Sequence, residues 1–138
     1  MARIIKVESS YRQRSLLQKS IVMAIRELAN QQEVNDLTHD LAAYVFLSLQ
    51  AIARSIDPSV SAWEKRGYWL KADRFRLEWF WTEELSRKLK DSLILGDWNK
   101  VAIVITQIAD KLKNVEPPKR NRYGTPWVGA WDVMMKGL

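Results

Sequence analysis

His39 is the sole histidine of the chain, and Asp36-x-x-His39-Asp40 is the one place where acids and an imidazole crowd together. Di-iron or di-manganese chemistry in a helical bundle needs inward glutamates plus a Glu-x-x-His pair from each of two helices. A lone histidine in the first turn of its helix cannot supply that, and it reads as a solvated or capping group. A nucleophile triad would need the same imidazole as base, and no nucleophile stands at a supporting spacing. The chain has no cysteine, which excludes disulfides, thiolate metal sites and thiol catalysis. No glycine-rich phosphate loop is present.

Paired carboxylates that hold Mg²⁺ are the remaining catalytic pattern. Glu78, Glu83, Glu84 and Asp91 share one segment, with Glu27 and Asp110 on others. Glu83 and Glu84 each have a cation four residues on, Arg87 and Lys88, the arrangement of a solvated helix face. No second acidic pair recurs at helical spacing. The expectation is therefore a non-enzymatic protein with no cofactor and no metal.

Binding chemistry has more to work with. Net charge is +6 and the sequence pI is about 9.7. Arg12, Lys19 and Arg26 recur every seven residues on one stripe, and Lys119, Arg120 and Arg122 stand beside Tyr123 and Trp127. Cations interleaved with rings suit phosphates and stacked bases, so nucleic acid, RNA or single-stranded, is one expected partner. No helix-turn-helix, zinc-finger or RNA-binding signature accompanies them.

The other candidate is aromatic. Residues 63–81, WEKRGYWLKADRFRLEWFW, hold four of the seven tryptophans. At 100° per residue Tyr68, Ala72, Phe75 and Trp79 fall on one stripe. Trp63, Leu70, Leu77, Trp81 and Leu85 fall on a second, and Trp69 and Phe80 on a third. The first two stripes predict a helix packed on two sides. Exposed rings on the third, with Arg76 beside them, would make a partner surface, most simply a homodimer face. A protein–protein interaction or scaffold module is the leading expectation, with nucleic-acid binding as the alternative.

The elements that must carry these groups follow from periodicity. The composition is 47% hydrophobic and 28% charged, with five glycines and four prolines, too few for the many turns of an all-β domain. Leu17, Ile21, Ala24 and Leu28 mark a helix over about 10–30, after an extended arm over 1–9. Leu41, Val45, Ser48 and Ile52 mark a second over 36–56, apolar on most sides and so central. Asp57-Pro58 reads as a helix stop followed by a cap, which starts the third helix at 58 and carries it to 95, bent at Gly67. Gly96-Asp97 is a second joint, leading to a helix over 97–114 with the stripe Val101, Ile105, Ile108 and Leu112.

Residues 115–138 read as a Pro/basic link and a Trp-rich capping clamp. The expected architecture is a single all-α domain, an antiparallel four-helix bundle. The first fifteen residues carry no signal-peptide core, and the longest apolar run, Leu41–Ala53, is too short to span a bilayer. The expected setting is cytoplasmic, with no membrane association.

Overall fold

Helical periodicity is realised along most of the described residues. The computed structural model of the protein describes residues 7–120 and 123–138, and among these there is helix and connection but no strand. Five helices follow in order: α1 Val7–Ala29, α2 Asp36–Lys65, α3 Trp69–Leu95, α4 Trp98–Lys111 and α5 Ala130–Lys136.

The extended arm falls mostly on residues 1–6, outside the described residues. Its last part is helical, since α1 already begins at Val7.

Helix α2 begins where its cap dictates. The Asn35 side chain accepts from the Thr38 N–H at 3.1 Å, and the Asn35 N–H donates to Thr38 Oγ1 at 3.2 Å. This reciprocal capping box satisfies donors that no helical carbonyl can reach.

The stop expected at Ile56 does not occur. Helix α2 runs through Pro58 to Lys65. A proline inside a helix costs about 3 kcal/mol through its lost N–H and its clash with the carbonyl four residues back. Pro58 and Arg54 are both exposed, so the freed carbonyl belongs to a surface residue. On the opposite side Ile56 and Val60 are buried with Ala72, against Trp63, Phe75 and Trp79. Burying two aliphatic side chains contributes about 1.5–3 kcal/mol each. Tertiary burial outweighs the proline.

The true corner is eleven residues later. Gly67 adopts φ +82°, its N–H bonds the Glu64 carbonyl at 3.0 Å, and the Tyr68 N–H bonds the Trp63 carbonyl at 2.9 Å. That pair of bonds is the Schellman closure. The same pair recurs at the α3–α4 corner, where Gly96 N–H meets Leu93 O and Asp97 N–H meets Ser92 O, both at 3.1 Å. There Asp97 also caps α4, accepting from the Lys100 N–H at 3.2 Å, as the sequence predicts.

The main core gathers the expected stripes of three helices, Ile21 and Ala24 of α1, Leu41, Val45 and Ile52 of α2, and Val101 and Ile108 of α4, while α3 contributes Leu85 of its expected stripe together with Leu89 and Leu93. Helix α2 packs against α1, α3 and α5, so it is central. The inner face of α3 carries Thr82, Ser86 and Ser92, whose hydroxyls donate to carbonyls three or four residues back. Small satisfied side chains there let α3 lie close to its neighbours.

The C-terminal segment folds back onto the same chain. Trp127, Ala130 and Met134 enter the main core, and α5 lies against α2. Asp40 anchors it: its carboxylate accepts the Gly129 N–H at 3.1 Å and the Trp131 N–H at 3.0 Å.

Candidate functional site

Two surfaces emerge. The first is the outward face of α3. Trp69 is 61% exposed, Phe80 57% and Leu77 78%, and Tyr68 and Leu70 are more than half exposed as well. Trp69 and Phe80 match the expected third stripe. Leu70 and Leu77 do not match the second. The helix buries Ala72, Thr82, Leu85, Leu89 and Leu93, and that inward direction leaves Leu70 and Leu77 on the solvent side while Trp81 and Leu85 pack. The exposed apolar set is therefore larger than the sequence spacing implied.

Arg76 lies on this face but is already engaged. Its guanidinium bonds Glu64 at 2.6 Å and approaches Asp73 at 3.6 Å. The Glu64 hydrogen bond raises the Arg76 pKa, opposed by desolvation and supported by the charges of Glu64, Asp73 and Asp57. Arg76 thus ties the end of α2 to α3. Next to these rings a shallow groove of about 650 Å³ runs along the corner, walled by Trp63, Tyr68, Leu70 and Phe75. Lys71 Nζ sits 4.6 Å from the Trp63 ring centre and shields part of that wall.

The second surface was not legible in the spacing. Arg14, on α1, is only 4% exposed. One of its terminal nitrogens makes two long contacts, 3.4 Å each, to Ser55 Oγ and Ser59 Oγ of α2. Its guanidinium carbon lies 5.1 Å from the Phe75 ring centre and 5.8 Å from that of Trp79. Its Nε is buried with no hydrogen-bond partner. Burial lowers the Arg14 pKa, and the charge of Glu78 works in the opposite direction. Arg14 lines a groove of about 650 Å³ bounded by α1, α3 and residues 114–119. Arginine at position 14 was readable only as one more surface cation. The clue was its register seven residues before the fully buried Ile21, on the inner face of α1.

The expected nucleic-acid set is divided by the structure. Arg12, Arg26, Lys119 and Arg120 are exposed, and Lys19 and Lys119 line the Arg14 groove together. Tyr123 is partly buried, and Arg122 lies outside the described residues. Trp127 is a correction: it is 5% exposed and packs edge-on to Tyr44, with ring centres 6.4 Å apart. The fold needs this indole to seat the C-terminal segment, which removes it from any base-stacking role.

His39 is also more engaged than a solvated cap. Nδ1 meets the Asn35 carbonyl at 2.7 Å, and Trp98 and Trp131 press on the ring edge-to-face at 5.0 and 4.7 Å. The Asp-x-x-His-Asp run is a seat for the C-terminal helix. Among the described residues no three His, Asp or Glu side chains converge in a way that would hold a metal. Glu84 pairs with Lys88 at 3.1 Å, but Glu83 forms no such pair with Arg87. No helix among the described residues is long and apolar enough to cross a membrane.

No protein-family model, curated protein or solved structure matches the chain.

Proposed function

We propose that this protein is a non-enzymatic interaction module, an antiparallel four-helix bundle clamped by α5, that pairs with a second copy of itself across the outward face of α3. The observation carrying this reading is the cluster Trp69, Leu70, Leu77 and Phe80, large apolar side chains left uncovered on one helix. Apolar surface of this kind on a folded chain marks a contact surface. The face also holds Asp73, Glu84 and Asp91 against Arg76, Arg87 and Lys88, three charges of each sign. Two copies of a chain with net charge +6 can meet there without bringing like charges into register. The adjoining corner groove offers a recess for a partner ring beside the rings that project, as a two-fold interface requires.

Light scattering across a concentration series tests this. Dimer at micromolar concentration is expected, with Leu77→Glu or Phe80→Glu giving a folded monomer whose melting temperature no longer depends on concentration. A wild-type chain that stays monomeric at high concentration would overturn the proposal.

Nucleic-acid binding ranks second. It is favoured by the groove that Lys19 and Lys119 share, but it lacks the stacking ring expected at Trp127. It requires retention on RNA or single-stranded DNA at low salt that falls steeply as salt rises.

A further inference from the structure

An arginine taken out of water ordinarily has a carboxylate against it, because desolvating an unpaired cation is costly. Arg14 has no carboxylate within salt-bridge distance among the described residues. Its contacts are two serine hydroxyls at the limit of hydrogen-bond length and two ring faces, and its Nε is unsatisfied. The residue is nonetheless set into the wall of a groove whose volume suits a small organic ligand. Lys19 and Lys119 stand on the rim of that groove, with Glu78 and Glu116 also along it. Tyr11, Phe75, Trp79 and Pro117 supply apolar walls.

We propose that this groove binds a small anion with a flat aromatic body, an aryl phosphate or aryl carboxylate. Its acid group sits on the Arg14 guanidinium and its ring lies among Tyr11, Phe75 and Trp79. A guanidinium donates a charge-assisted hydrogen bond to an oxyanion, and the rings beside it give a second, charge-independent contact. Lys19 and Lys119 add attraction at the mouth. Glu78 opposes it, and so sets an upper limit on affinity in the native chain. The proposal does not depend on self-association, because the groove lies among α1, α3 and the 114–119 connection while the dimer face is the outward side of α3.

The probes are phenyl phosphate, benzoate, inorganic phosphate and neutral phenol, followed by indole fluorescence and melting temperature. Phenyl phosphate or benzoate is expected to change Trp79 emission and raise the melting temperature. Inorganic phosphate should act more weakly and phenol not at all. Arg14→Met should weaken the ring-bearing anion by roughly tenfold or more, the effect of one lost charge-assisted contact. Should that variant fail to fold, Lys19→Ala combined with Lys119→Ala must weaken binding and Glu78→Gln must tighten it. Leu77→Glu should bind as well as the native chain, which separates this site from the dimer face. No response to phenyl phosphate or benzoate, or an equal response in phenol, overturns the proposal. Affinity indifferent both to Arg14→Met and to Glu78→Gln does so too.

Discussion

Trp79 and Trp69 are ten residues apart on one helix and illustrate how differently one residue type can be used. Trp79 is half-buried between the two cores and lies over Arg14, tilted against Phe75 at 6.2 Å. Its truncation to alanine should cost about 3–5 kcal/mol, measured by chemical denaturation. Trp69→Ala, on the open face, should change stability by no more than about 0.5 kcal/mol. Equal losses at the two positions would contradict the assignment of one ring to the interior and one to the surface. Helical spacing separated these two rings correctly. It failed at Leu70 and Leu77, because spacing gives angles between side chains but not which angle faces the neighbouring helix. Arg14 shows the same limit: its register was readable, yet a long cation is so often solvated that nothing in the sequence singled it out.

At the level of elements, the caps were legible and one breaker was misread. Asn35, Gly96 and Asp97 act as their residue types predict, since each satisfies a backbone group locally. Asp57-Pro58 reads as a stop because proline is unfavourable inside a helix, but the outcome depends on Ile56 and Val60 having a core to enter. Gly67, expected as a bend within one long helix, is instead the corner between two, with φ +82° and the Schellman bonds to the Glu64 and Trp63 carbonyls. Two substitutions follow from this. Pro58→Ala should raise stability by about 1–3 kcal/mol, the residual penalty of an interior proline less the entropy it removes from the unfolded chain. Gly67→Ala should lower it by about 1–2 kcal/mol, all of it local backbone strain at φ +82°, since a Cβ there meets nothing else in the fold within 4 Å. Thermal melts of the two variants should move in opposite directions.

For the whole molecule, the C-terminal segment decides how the N-terminal turn of α2 is finished. Asp40 reaches two backbone donors at the start of α5, and His39 fills the space between Trp98 and Trp131. Asp40→Ala leaves those donors without their acceptor and should cost about 1–3 kcal/mol. Amide exchange over residues 127–136 should rise more than anywhere else in that variant. Exchange that rises uniformly would mean that the segment is held by apolar contact alone.

Helix α2, at 30 residues, is about 45 Å long, against about 21 Å for the 14 residues of α4. Its far end and the start of α3 close over a small satellite cluster, Ile56, Val60 and Ala72, separate from the main core. Such a tip, joined to the rest through few buried aliphatics, is the section of a fold that opens first on its own. Trp69 and Leu70 ride on it. Amide exchange is expected to be faster over residues 60–72 than in the main core, and a second copy seated on Trp69 and Leu70 should slow it.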